Sequence, residues 1–107
     1  MKPRLVFNSA IILVRHNPGV SCTIESISFA GVCLVGALTV SVGEMVQLLL
    51  EVDGTPIDVD GEVVRVVRRD VTTDRVAIAF RNVSATTRPV IQQIVQRNLE
   101  SVAANDA

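Results

Sequence analysis

The chain has no tryptophan, no tyrosine and only three phenylalanines among its 107 residues. Proteins that hold single-stranded nucleic acid stack bases on aromatic side chains, and this sequence cannot build such a platform. It also lacks a charge excess: ten Lys and Arg face eleven Asp and Glu, for a formal net charge of -1. Binding DNA or RNA through the phosphate backbone calls for a strongly basic face, so nucleic-acid partners are not expected. One histidine, two cysteines and no CxxC spacing leave no zinc ligand set. No apolar run is long enough to span a bilayer; "AIILV" (10–14) stops at Arg15. Lys2 and Arg4 precede an apolar stretch broken by Asn8 and Ser9, so no signal peptide is expected and the cytoplasm is the expected compartment.

Catalytic signatures are missing too. There is no Walker loop, no GxSxG and no HExxH. His16 stands alone in a turn beside Asn17-Pro18, where a histidine is usually just solvated. Asp58, Asp60 and Glu62 alternate along one strand face, and a solvated sheet face explains them better than a metal site does. The chain is expected to be neither an enzyme nor a cofactor protein.

What the sequence does have is aliphatic bulk. Apolar residues make up 49% of the chain and charged ones 20%, enough to bury a core without disulfides or metal. With few aromatics that core falls to Val, Ile and Leu, and β-branched residues favour strands. Strand patterns cover 4–15 (with a bend at Asn8-Ser9), 20–25, 32–35, 45–52, 57–67 and "RVAIAF" at 75–80. Asn17-Pro18-Gly19 and Asp53-Gly54 mark turns, the second a strong hairpin signal. Ile57 and Val59 alternate with Asp58 and Asp60, whereas "VVRVV" (63–67) is apolar on both faces and predicts a strand covered on both sides. Cys22 and Cys33 flank one hairpin inside apolar patterns, and small buried thiols are expected there in preference to a disulfide.

After Asn82 the period changes from two to about 3.6. Val90, Ile91, Ile94, Val95, Leu99 and Val102 form one helical stripe, with Ser84 as a candidate cap and Pro89 in the first turn. Six strands in series with hairpin turns must protect their edges, and a small antiparallel barrel does so. The fold expected is mainly β: a six-stranded antiparallel barrel with one C-terminal helix, a single domain over 1–102 and a frayed tail at 103–107.

The stretch "CTIESISFAGVCL" (22–34) places Ser26 and Ser28 in a bend that ends on Ala30-Gly31. Turn chemistry accounts for such residues, and so does a loop that offers hydroxyls and backbone to a ligand. Arg4, Arg65, Arg68 and Arg69 could grip phosphate in bidentate fashion, although scattered surface arginines are the simpler reading from composition. The order of the hairpin, "GEVVRVV" (61–67), "VAIAF" (76–80) and the final helix resembles the PilZ domain family over about 4–99.

That resemblance implies a six-stranded barrel with a C-terminal helix and a link to the bacterial second messenger cyclic di-GMP. The family holds this ligand with an RxxxR pair ahead of the first strand and a [D/N]xSxxG loop. Here Ser26-Ile27-Ser28-Phe29-Ala30-Gly31 matches at Ser28 and Gly31, with Ser26 in the place of Asp or Asn. Arg4 fits the second arginine, and its partner four residues earlier would fall before Met1. The ligand residues implied are therefore Arg4, Ser26, Ser28 and Gly31.

The function implied is a non-enzymatic signalling adaptor of PilZ type, working through protein contacts with weakened or lost nucleotide binding. The alternative is a cyclic di-GMP receptor using Arg4 and the 26–31 loop; a third reading is a barrel domain of a larger signalling protein. The adaptor reading predicts an exposed apolar patch around 38–42 or on the helix. The partners expected are a signalling or motility protein and cyclic di-GMP, with a second copy of the chain as a further candidate.

Overall fold

Alternation of apolar and polar residues sets the architecture. In a computed structural model, backbone is described for residues 9–14, 19–52 and 54–106, and side chains for 19–52 and 54–97. The strands are β1 (Ser9–Val14), β2 (Val20–Ile27), β3 (Gly31–Gly36), β4 (Met45–Val52), β5 (Thr55–Arg68) and β6 (Asp74–Arg81), followed by helix α1 (Arg88–Asp106). They close into an antiparallel barrel in the order β1-β2-β3-β6-β5-β4. Closure is made by β1, which pairs with β2 on one side and β4 on the other. Among the described strands no sheet edge is left open, which answers the edge problem that a chain of hairpins faces.

The interior is aliphatic, as the composition requires. Leu34, Leu48, Val63 and Val76 are fully buried, with Ile24, Leu50, Ile57, Val59, Ile78 and Phe80 around them. Asp58 and Asp60 point outward between Ile57 and Val59. The β4–β5 hairpin turns between Val52 and Thr55, and Gly54 takes the positive φ of 82° that such a tight turn demands.

Two β-bulges interrupt the ladders. In β2 the register shifts between Ile24 and Ser26, leaving Glu25 as the extra residue. In β5 it shifts between Val63 and Arg65, leaving Val64 as the extra residue. Each bulge moves the next inward position by one, so Ile27 follows Ile24 and Val66 follows Val63 against the core. The bulge corrects the reading of 63–67 as covered on both faces: Val64 and Val67 are exposed, and the doubled apolar pattern records a slipped register.

Leu38 is buried and Val40 packs on the core, so the 38–42 segment offers only Val42 as an exposed apolar side chain. The expected patch there does not form. Nor does the helix present one among the described side chains, because Ile91, Ile94 and Val95 are buried in the core.

Asn82 ends β6 at a φ of 53°, a conformation Asn tolerates better than most residues. Ser84 then organises the entry to α1: its Oγ accepts the Thr87 N–H at 3.1 Å, and its carbonyl accepts the Arg88 N–H at 3.0 Å. Ser84 thus has the geometry of the cap expected from the sequence, its carbonyl taking the first i→i+4 bond and its Oγ an N–H three residues on, and a further i→i+4 bond runs from Ile91 N–H to the Thr87 carbonyl. Pro89 sits in the first turn, where its missing N–H costs nothing. The helix continues to Asp106, beyond the end of the apolar stripe at Val102.

Cys22 and Cys33 form no disulfide. Cys22 faces the core and Cys33 the outer wall, on opposite sides of the β2–β3 ribbon. Burial pushes the Cys22 thiol up to about 11.

Candidate functional site

Pleating and register place one row of residues across the outer wall of four strands. Ser26 (β2) pairs with Cys33 (β3), Cys33 with Ala77 (β6), and Ala77 with Arg65 (β5). The next outward row holds Gly31, Ala79 and Glu62. Gly31, Cys33, Ala77 and Ala79 are all small, so the wall is hollowed where larger side chains stand on either side. The result is an open trough of about 420 Å³, bordered by Ser26 and Ser28 on one flank and by Val64 on the other. That volume lies within the range of small-molecule sites. Both bulges lie at its flanks, where such irregularities commonly re-aim side chains.

Ion pairs stand beyond the two ends of this floor. Glu25, on the β2 bulge, reaches across β3 to Arg75 in a fork of 2.8 Å (Nε–Oε1) and 3.0 Å (Nη2–Oε2). At the other end Arg81 grips Glu62 through Nε and Nη2, both at 3.1 Å. The Cys33 thiol donates to Glu25 Oε1 at 3.5 Å. Desolvation chiefly, and then the Glu25 hydrogen bond and charge, raise its pKa, with Arg75 and Arg65 acting the other way.

The 26–31 loop is built by its own side chains. Ser28 Oγ accepts the N–H groups of Ala30 and Gly31, both at 3.2 Å, and donates to the Gly31 carbonyl at 3.3 Å. One donor and two lone pairs are thereby engaged, which exhausts a hydroxyl. The Ser28 N–H adds a 2.8 Å bond to the Gly31 carbonyl, and the Phe80 N–H donates to the Ala30 carbonyl at 2.8 Å. Gly31 is fixed by proximity, since a Cβ there would lie 2.2 Å from the Ile78 carbonyl oxygen. Ser26 is exposed and carries no such duty in the loop.

Of the four residues singled out from the sequence, Ser26, Ser28 and Gly31 thus meet at one border of the trough, while Arg4 lies outside the described residues, as do Lys2 and His16. Arg65 stands in the central row, whereas Arg68 is paired to Asp74 at 2.7 Å towards the end of β5. Asp58 accepts from Gln47 at 3.0 Å and Glu62 holds Arg81, in keeping with a hydrated face. No group of three or more His, Cys, Asp or Glu is placed to hold a metal ion among the described residues. Sequence reasoning missed the floor. Its signal was Ala77 and Ala79, small residues at alternate positions of a strand whose other face is Val, Ile and Phe.

The described residues thus form a closed antiparallel barrel with a hollowed outer wall under a serine-built loop. The sequence matches the PilZ domain family over residues 2–97, and the chain belongs to that family. Three solved structures share the fold. YcgR from Escherichia coli in complex with c-di-GMP superimposes with a TM-score of 0.73 at 18% identity, over 94% of this chain and 46% of that one. The PilZ domain of the same protein with c-di-GMP gives 0.71 at 19% identity, over 92% and 88%. The Bacillus subtilis inhibitor of motility MotI/DgrA gives 0.67 at 15% identity, over 94% and 53%. The chain thus spans about half the length of two of these proteins. No curated protein matches the sequence significantly.

Proposed function

We propose that the chain is a non-enzymatic regulatory module of cyclic di-GMP signalling, acting in the cytoplasm, whose outer-wall trough receives the dinucleotide and passes the signal on by protein contact. The observation that carries this reading is the trough itself: a floor of Gly31, Cys33, Ala77 and Ala79 beneath a loop braced by the Ser28 hydroxyl. YcgR carries c-di-GMP on the same fold, which supports the choice of ligand. The module proposed occupies 1–102, and 103–107, which includes the last turn of α1 up to Asp106, is its tail.

Ser26 and Arg4 are the side chains assigned to ligand contact. Ser28 and Gly31 act by shaping the loop. A serine at position 26 offers one hydroxyl where a carboxylate offers two acceptor oxygens, so nucleotide affinity is weaker than a complete loop would give. Output by protein contact draws support from exposed apolar side chains beside the trough (Val64), at the far end of β5 (Val67) and in the turn that follows it (Val71). The motility inhibitor MotI/DgrA on the same fold points to a motility protein as the kind of partner.

The test is thermal unfolding with and without cyclic di-GMP, with GMP as control. Ligand at a hundred times its dissociation constant adds about 2.7 kcal/mol, a midpoint rise of roughly 10–20 °C for a domain of this size. No rise at millimolar dinucleotide overturns the receptor part of the reading and leaves an adaptor that works by protein contact alone.

A further inference from the structure

Four arginines lie on the described strands. Arg68 is held by Asp74, Arg75 by Glu25 and Arg81 by Glu62. Arg65 is exposed and makes no ion pair among the described residues. It follows the β5 bulge at Val64, which itself borders the trough, and it stands directly across from Ala77 on the floor. Its charge reaches the Cys33 thiol, one strand further on. Ser26 occupies the opposite end of the same row. Three strand spacings of about 4.8 Å separate the two, so the row spans roughly 14 Å. A guanidinium on an extended side chain covers much of that width from one wall.

We infer that Arg65 is the phosphate anchor of the β5 wall, facing the serine wall across the small-residue floor and gripping the anionic part of a ligand seated between them. The inference rests on the receptor reading above and adds to it a residue outside both sequence motifs. Its physical basis is the difference between Arg65 and its three neighbours. A guanidinium already forked by a carboxylate must break that pair to take a phosphate, and one in water gives up only hydration. Without the bulge at Val64, position 65 would fall on the inward phase of β5. With it, the arginine points away from the core and sits next to the floor.

The experiment is isothermal titration of cyclic di-GMP into the full chain and into Arg65→Gln, Arg65→Lys and Arg68→Gln, with the unliganded unfolding midpoint of each. The result expected is a Kd about 10- to 150-fold weaker for Arg65→Gln, the span of one charge-assisted contact. Arg65→Lys falls between, because an ammonium keeps the charge and loses the fork. Arg68→Gln binds as the parent does, and all four unliganded midpoints agree within a few degrees. A parent that binds while Arg65→Gln binds equally well overturns the anchor and leaves the receptor reading standing. A parent that does not bind at millimolar ligand overturns both. Loss of binding matched by a lowered unliganded midpoint assigns Arg65 a structural role and also overturns the anchor.

Discussion

Gly31→Ala separates two explanations for the glycine that closes the 26–31 loop. If the glycine exists to let a ligand approach the backbone, alanine costs affinity and leaves the unliganded protein intact. The contacts say otherwise. An added Cβ would lie 2.2 Å from the Ile78 carbonyl oxygen and 3.2 Å from Ala79 Cα, both backbone atoms of β6. No side-chain rotation relieves that contact, so β3 must move off β6 where Gly31 pairs with Ala79 and Val32 with Ile78. Forcing one extra carbon into such packing costs about 1–3 kcal/mol. Gly31 is not at positive φ, so the substitution gains back a few tenths of a kcal/mol from the stiffer unfolded chain. The expected net loss is about 1–2.5 kcal/mol, or roughly 5–15 °C in midpoint. Far-UV circular dichroism on heating, without ligand, measures it. An unchanged midpoint refutes the packing argument and returns Gly31 to ligand approach.

Other outcomes follow from the same geometry. Ser26→Asp restores the family's carboxylate at the trough border and is expected to strengthen cyclic di-GMP binding by about tenfold, the scale of one charge-assisted hydrogen bond, as titration calorimetry would show. Ser28→Ala strips the acceptor from Ala30 and Gly31 N–H and is expected to cost about 0.5–1.5 kcal/mol of unliganded stability, read as a lower urea midpoint. Leu48→Ala empties a fully buried position and is expected to cost about 2–5 kcal/mol, with the urea m-value unchanged. Alkylation at pH 8 should modify Cys33 in the native state and Cys22 only on unfolding. The Cys22 thiol is raised from 9.0 to about 11 by burial, so the neutral form is favoured in the fold. Its contribution is therefore whole below pH 9 and declines as pH rises towards 11, which stability curves between pH 8 and 11 would record.

Much of the fold was readable in the sequence, because a barrel wall needs only period-two alternation and turn chemistry. Ile57 through Asp60 and the turn at Gly54 were legible for that reason. The bulges were not. The β2 bulge at Glu25 carries no apolar doublet at all, and the β5 bulge appears in sequence as two apolar residues in succession, Val63-Val64, a pattern that also fits a strand buried on both faces. Only the partner register distinguishes the two. Leu38 was misplaced for a related reason: the segment between β3 and β4 has no periodicity of its own, and its burial depends on how the barrel end is plugged.

The serine-glycine motif shows where sequence and structure divide the labour differently. In a motif, Ser26, Ser28 and Gly31 carry equal weight, since each is simply a position. In the molecule they do different work. Ser28 spends its hydroxyl on the loop backbone and Gly31 yields space to β6, so both act on the unliganded fold. Ser26 has neither task, and it is the one position that departs from the family. On the proposed reading, a departure confined to the side chain free to meet a ligand alters affinity and leaves the architecture alone. That is why the trough can be well formed on a chain whose motif is incomplete. The same reading predicts that stability and nucleotide affinity vary independently across this loop, one through positions 28 and 31 and the other through position 26.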